Sequence, residues 1–433
     1  MGAFEETMAM MRDAEKRFTN NYFKKVMHDE RIKLSTLLDE VKNGRLVIPH
    51  NNNRNTKPVA IGNAVSTKTN MVVGTSLNIK DAPLELKKAK TAEKYGVDMI
   101  TDANSKENIT QFRKQLMKTT NLPIATLPLL EAATTARLRD GSTKYITEED
   151  ILQTTDKQLK EGSDMLTIHA SFTQELLPLL NESERILPVD TAAGAYIATY
   201  MLINNVENPF YTNFDYILEQ LQEYDATIGL ASVLRPSCVV DSTDVLQLKE
   251  NIILSRLIRR AQEAKIQTIS GGQGYVQLNL IESNLFAKES INQETPIFIS
   301  GPMVTDIVPG YDDMVSAIGA TIAAMTGANL IRCCPANNTL NESPLDKTRK
   351  AVISARLAAH IADLNTGKPR HMDLEKRMAE AKRDNNIERQ KEIALDPLAA
   401  DISLQENTRK LGCGRCKETC SIQYFNEKIT KKI

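Results

Sequence analysis

Cys413, Cys416 and Cys420 stand close together in Leu411-Gly-Cys-Gly-Arg-Cys-Lys-Glu-Thr-Cys420, a C-x2-C-x3-C run. Three thiolates at this spacing can converge on one metal centre, and Gly412 and Gly414 let the backbone wrap around it. A structural zinc site takes four ligands, and an ordinary [4Fe–4S] cluster takes four cysteines. A set of three leaves one iron of a cubane open to a small molecule. That is the arrangement needed to bind S-adenosylmethionine and cleave it reductively. The spacing alone also admits a zinc knuckle completed by a distant residue, or three unrelated thiols.

The elements that must carry such a centre show two rhythms. Residues 1–45 read as helix, and turn formers break the pattern from Ile48 onward, which sets an N-terminal helical segment at 1–56. From residue 57 short β-branched runs alternate with helix-compatible stretches such as Leu84–Tyr95, Glu149–Glu161, Leu246–Ala264 and Met314–Thr326. The runs lie at 71–75, 98–102, 123–127, 165–169, 186–190, 227–232, 266–270, 296–300 and 329–334. Repeated strand–helix alternation argues for parallel βα units. Eight of them closing over 57–345 make an α/β fold of the (βα)8 TIM type. Nine runs are one too many, so either one lies outside the barrel or one is not a strand. No G-x-G-x-x-G follows the first strand, which weakens an open dinucleotide-binding sheet. Residues 346–433 read as C-terminal helices and the cysteine-bearing, cluster-binding tail.

In such a barrel the chemistry sits at the C-terminal ends of the strands. Those ends carry Asp102, Asn104, His169, Asp190, Thr191, Ser232, Arg235, the Gly271–Tyr275 turn, Asp306, Asp312, Asp313, Cys333, Cys334, Asn337 and Asn338. His169 closes an apolar run, so its ring is expected at the mouth, with a satisfied structural histidine as the alternative. Arg235 fits a carboxylate or phosphate by its fork, or else a rim salt bridge. Cys333 and Cys334 read as buried strand cysteines, and His360 as a helix-packing residue.

Composition narrows the classes. The chain has 433 residues, 41% hydrophobic and 25% charged, with a net charge of −1. No polyanion or anionic membrane surface is implied, so neither a nucleic acid nor a membrane partner is expected. No apolar run approaches the ~18 residues of a membrane span. The N-terminus lacks the basic and apolar segments of a signal peptide, and residue 6 is not the Ser or Thr of a myristoylation signal. Six cysteines, half of them in one cluster, do not make a secreted disulfide framework. A reducing cytoplasm is expected, and an oxygen-sensitive cluster would need an anaerobic setting.

From about residue 36 onward the chain resembles the phosphomethylpyrimidine synthase (ThiC) family of non-classical radical SAM enzymes. Gly44-Arg-Leu-Val-Ile-Pro-His-Asn resembles the family's GRAIIPNN, Leu166-Thr-Ile-His-Ala its FTIHAG, and Leu234-Arg-Pro its DGLRPG. Gly301-Pro-Met-Val-Thr-Asp-Ile-Val-Pro-Gly-Tyr-Asp is similar to GPLVTDIAPGYDH, and Ala394-Leu-Asp-Pro to ALDP. The resemblance implies a (βα)8 barrel, a [4Fe–4S] cluster on Cys413, Cys416 and Cys420, and S-adenosylmethionine bound at its open iron. It also implies a 5′-deoxyadenosyl radical, a ferredoxin- or flavodoxin-type electron donor, and a homodimer in which the cluster segment covers the partner's site.

The departures are as informative. The family's last cysteine gap is one residue longer. Its EGPGHVP loop falls on Gly271-Gly-Gln-Gly-Tyr-Val-Gln, so Tyr275 replaces a metal histidine and Gly271 an acid. Its second metal histidine falls at Asn338, and its substrate-binding Ser-Arg-Gly at Thr191-Ala-Ala193. The binding asparagine, methionine and tyrosine fall at Val72, Thr101 and Leu130, and the Asp-Gly before the Leu-Arg pair at Ser232-Val233. His169, Leu234 and Arg235 survive. Each lost partner in a closed site costs ~1–3 kcal/mol. The expectation is therefore a lyase-type radical enzyme of cofactor biosynthesis acting on a substrate other than aminoimidazole ribotide, without a zinc at the barrel mouth. His169, Leu234, Arg235, Thr191, Ser232, Tyr275 and Asn338 are expected to face an anionic or polar small molecule, with a carboxylate on Arg235. Fragmentation of that molecule would suit one-carbon or carbon monoxide supply to the iron-guanylylpyridinol cofactor of [Fe]-hydrogenase. The alternatives are an iron–sulfur scaffold protein, a degenerate subunit of a heterodimer, and a pyrimidine or hydroxybenzimidazole synthase with an altered site.

Overall fold

The computed structural model describes residues 22–76, 80–106, 108–292, 294–336, 343–405 and 421–428. The chain divides into two units, Met1–Ala362 and Asp363–Ile433. In the first, helices α1 (Tyr22–Glu30) and α2 (Leu34–Lys42) bury Phe23, Val26, Leu37 and Val41 against Leu46 and Ile48. The part of the expected N-terminal helix before residue 22 lies outside the described residues. Two short strands follow, β1 (Leu46–Val47) and β2 (Ile61–Gly62), paired antiparallel. Two residues are too few to show a period, so sequence patterning gives no strand here.

Eight parallel strands then close the expected barrel: β3 (Lys68–Val73), β4 (Met99–Asp102), β5 (Ile124–Thr126), β6 (Met165–Ile168), β7 (Thr227–Leu230), β8 (Thr268–Gly272), β9 (Ile297–Ile299) and β10 (Ala328–Cys333). β10 pairs with both β3 and β9, which closes the circle. Because strand side chains alternate faces, Met99, Ala125, Met165, Ile269 and Leu330 form one apolar layer inside. Val47, Val59 and Ile61 of the β1–β2 ribbon join that layer, so the ribbon seals the barrel at the strands' N-terminal ends. One step higher the interior turns polar: Asn70 Nδ2 donates to Thr101 Oγ1 at 2.9 Å.

The run at 186–190 is the surplus strand, and it is a loop. The N–H groups of Ile186 and Leu187 donate to the Asp241 carboxylate at 3.0 and 2.9 Å instead of to a strand. Pro188 has no N–H to give, and Ile186 is 65% exposed. β6 pairs directly with β7.

Helices cover the strands outside: α3 (Ala82–Lys94), α4 (Ile109–Thr119), α5 (Pro128–Asp140), α6 (Glu148–Lys160), α7 (Leu177–Asn181), α8 (Ala192–Asn204), α9 (Pro209–Thr212), α10 (Phe214–Tyr224), α11 (Val245–Glu263), α12 (Ile281–Asn292), α13 (Asp312–Met325) and α14 (Pro344–Asn365). Their starts carry helix-capping signals. Asp81 Oδ1 accepts from Leu84 N–H at 2.9 Å, and Thr147 with Asp150 forms a capping box on α6. α14 lays Ala351, Val352, Ala355, Ala358, Ala359 and Ala362 on the core, with His360 buried on the same helix. Between α4, α5 and α6 the buried Arg113 is shared by Asp102, Glu131 and Glu161. Burial outweighs Arg113 at Asp102 and pushes its carboxyl up to about 6.

The second unit, described by itself, is helical: α15 (Pro369–Arg383), α16 (Ile387–Ile393), α17 (Pro397–Gln405) and α18 (Ser421–Lys428). Asn386 Oδ1 caps α16 through Arg389 N–H at 3.0 Å, and Lys391 bridges to Asp401 at 2.9 Å. Among the described residues no helix is long and apolar enough to cross a membrane.

Two substitutions check this architecture. Ile61→Ala opens a cavity in the sealing layer and should destabilise the protein by about 2–5 kcal/mol. Ile186→Ala, in an exposed loop, should leave the thermal midpoint unchanged. A drop with Ile186→Ala as large as that with Ile61→Ala would show that 186–190 is a core strand after all.

Candidate functional site

A cavity of ≈ 610 Å³ opens at the C-terminal ends of the strands. The end of β3 (Val72, Val73) and Gly74 beyond it, the loops after β6 to β10, and the first turn of α14 line it. Three of the residues expected at the site reach it together: Thr191, Arg235 and Tyr275. Ser232, Leu234 and His169 do not line it. They are buried, at 3%, 0% and 3% exposure. Asn338 and the three cysteines Cys413, Cys416 and Cys420 lie outside the described residues. Asp102, which sequence position puts at the mouth, is turned into the Arg113 network.

The floor of the site is fixed by one carboxylate. Glu250, on α11 and fully buried, accepts from Ser171 Oγ at 2.9 Å, Val233 N–H at 2.7 Å, Leu234 N–H at 2.8 Å and the Ser232 hydroxyl. The ends of β6 and β7 are thereby tied to one point, and Arg235 is the next residue out. The β8 end is held from behind by Lys288 on α12, whose ammonium donates to the Gly271 carbonyl. Burial pushes that ammonium down to about 7 against the pull of Glu250. Beyond it, Gly274 is required, because a Cβ there would overlap the Pro236 carbonyl oxygen. Tyr275 N–H donates to that carbonyl at 3.0 Å, and Met303 N–H donates to Gly274 O at 3.0 Å. The turn expected at 271–274 thus staples three strand loops together.

The charges at the mouth are partly spent. Arg235 Nε donates to Asp190, which also accepts from Ser237 Oγ at 3.4 Å. Arg235 is therefore in the rim salt bridge that was the alternative to a ligand contact. His169 is 3% exposed, and its Nδ1 is buried with no partner. Burial first, then the Arg235 guanidinium, push the imidazole down to about 3, with Asp190 opposing. Its ring is neutral at physiological pH. Burial and the carboxylates Asp306, Asp190 and Asp312 raise the Tyr275 phenol, so it stays a donor. Thr191 caps α8, its hydroxyl accepting from Gly194 N–H at 3.0 Å.

Sequence position alone missed part of the lining. Lys88 and Glu85 on α3 form a 2.6 Å ion pair at the cavity wall. Arg332 reaches the cavity from β10, as does Lys347 from α14. The available signal for Arg332 was alternation: Leu330 faces inward, so the residue two further on does too. Cys334 also lines the cavity, while the Cys333 thiol is buried and raised well above its ordinary value, a poor ligand. Among the described residues no group of three or more His, Cys, Asp or Glu is arranged to hold a metal ion.

The fold and the mouth define a parallel (βα)8 barrel with a closed base and a small-molecule-sized cavity at the C-terminal ends of its strands. The chain belongs to the radical SAM ThiC family, whose model matches residues 9–427. It is 36% identical over 422 residues to the phosphomethylpyrimidine synthase of Methanococcus maripaludis, covering 97% of this chain and 99% of that one. The protein of the same name from Methanocaldococcus jannaschii is 35% identical at the same coverage. Phosphomethylpyrimidine synthase 2 of Methanosarcina barkeri is 34% identical, covering 98% and 99%. The chain is thus a radical SAM, ThiC-like protein of cofactor biosynthesis.

The buried histidine makes a pH test possible. An unfolded chain takes up a proton on His169 near its ordinary value of 6.5, while the folded chain resists until about 3. The unfolded state then binds more protons, so stability falls as pH drops through that window. His169→Asn should lose less stability than the wild type between about pH 6.5 and pH 3, measured by chemical denaturation at each pH. Equal losses would mean that His169 titrates as an exposed imidazole.

Proposed function

We propose that this protein is a radical SAM enzyme of cofactor biosynthesis whose substrate is not aminoimidazole ribotide. Cys413, Cys416 and Cys420 would hold a [4Fe–4S] cluster, which when bound supplies the electron for reductive cleavage of S-adenosylmethionine. The remaining roles fall to the barrel. The apolar base layer keeps water from entering through the strands' N-terminal ends. Neutral His169 offers one donor and one acceptor, and Tyr275 one phenolic donor. Asp190 holds Arg235 in place and spends much of its charge.

The observation that carries the reading is the start of α8. A ribotide phosphate needs several charge-assisted donors. The resemblance puts the family's Ser-Arg-Gly at Thr191-Ala192-Ala193. Here the threonine hydroxyl is engaged as a helix cap and the alanines supply no side-chain donor. The names of the relatives favour a second reading, retained ribotide chemistry by other contacts. A homodimer, a ferredoxin- or flavodoxin-type donor and a cytoplasmic setting complete the proposal. Its expected lyase-type fragmentation chemistry is the support for a role in supplying one-carbon or carbon monoxide units to the iron-guanylylpyridinol cofactor.

Two experiments test this. Anaerobic reconstitution should give about four irons and four sulfides per chain, and Cys416→Ala should lose them with the barrel still folded. Stoichiometric zinc without charge-transfer absorption would overturn the cluster assignment. The reduced, reconstituted protein should cleave S-adenosylmethionine yet leave a thiamine auxotroph unrescued. Growth matching that of a true pyrimidine synthase would establish the second reading.

A further inference from the structure

The cavity holds four cationic side chains, and they are not equivalent. Arg235 is paired with Asp190, and Lys88 with Glu85. Among the described residues Arg332 and Lys347 have no such counter-charge. The Arg332 guanidinium donates through Nη1 to Ser300 Oγ at 3.0 Å, and its Nε is buried with no acceptor. Among the described residues neither Arg332 nor the Lys347 ammonium makes an ion pair, although both are half-buried. The third carboxylate of the wall, Asp312, stands at the first turn of α13.

A half-buried charge without a partner is costly to keep, and a buried guanidinium N–H without an acceptor adds to that cost. Both costs are offset if the partner arrives with the ligand. We propose that Arg332 and Lys347 form an oxyanion-binding subsite, on the β10–α14 side of the cavity, for a doubly charged phosphate or dicarboxylate head of the substrate. This rests on the reading above that the cavity is the substrate site. It moves the anion receptor away from Arg235, whose charge is already matched, and away from the start of α8. Arg332 supplies the planar fork suited to two oxygens of one head, and Lys347 a point charge beside it. Two unmatched positive charges select a dianion over a neutral or singly charged analogue.

The test is isothermal titration of the full-length protein with inorganic phosphate and, separately, with malonate, at low ionic strength and about pH 7. Saturable binding of at least one probe is expected. It should weaken about tenfold or more in Arg332→Gln and in Lys347→Gln. Arg332→Lys, which keeps the charge, should retain part of the affinity, and Lys94→Gln, outside the cavity, should bind as wild type. Tighter phosphate binding assigns a phosphoryl head, tighter malonate binding a carboxylate head. Absence of saturable binding for both probes, or wild-type affinity in both Gln variants, would overturn the subsite. The titration uses no S-adenosylmethionine turnover. A protein that binds the probes but does not cleave S-adenosylmethionine keeps the subsite and loses the radical reading, and the reverse result does the opposite.

Discussion

Everything at the mouth of this barrel depends on the burial of Glu250. A carboxylate taken out of water carries a desolvation cost of several kcal/mol, and it persists only where donors surround it. Here two hydroxyls and two backbone N–H groups do so, from the ends of two neighbouring strands. Charge-assisted bonds of this kind are stronger than neutral ones and directional. The constraint therefore fixes the chain direction as it leaves β7. Arg235 emerges where it meets Asp190, and the pair together sets the electrostatics around His169. Loss of the Glu250 carboxylate would strand four donors and release the loop that carries Arg235.

The same anchor explains which parts of the site were legible in the sequence. Strand–helix alternation gave the barrel because parallel strands and their covering helices have different periods. It also offered a ninth run at 186–190, since Ile, Leu and Val read as strand wherever they cluster. Only tertiary partners distinguish that segment: Asp241 takes its N–H groups and solvent takes its side chains. Ser232 and Leu234 sit at a strand end, yet they serve Glu250, which is distant by more than a helical turn in sequence and invisible as a partner until the fold brings it in. Arg235 could be read as a binding group, but its pairing with Asp190 required the loop geometry. Arg332 lay in plain view inside a strand, hidden among neighbours that read as a buried run.

What emerges is a family scaffold whose mouth holds two paired cations, Arg235 with Asp190 and Lys88 with Glu85. The base is closed by an apolar layer, and the loops after β7, β8 and β9 are stapled by Gly274, Tyr275 and Met303. The mouth follows the family resemblance most closely at Gly301–Asp312 and Leu234-Arg-Pro236. Two positions that differ from the family's motifs, Thr191 and Tyr275, line the cavity. A barrel tolerates such exchange because its loops are built on a core that the exchange leaves alone. On this account the reaction class is inherited through the cysteine run, and the choice of substrate is set by where unmatched positive charge remains.

The claim that the substrate has changed meets its most direct test in equilibrium binding of aminoimidazole ribotide to the reconstituted, full-length protein in the presence of S-adenosylmethionine. The account predicts binding no tighter than that of inorganic phosphate alone, because only the ribotide's phosphate finds a receptor. Binding orders of magnitude tighter than phosphate, lost in Thr191→Ala or Tyr275→Phe, would contradict it and return this chain to the pyrimidine synthases.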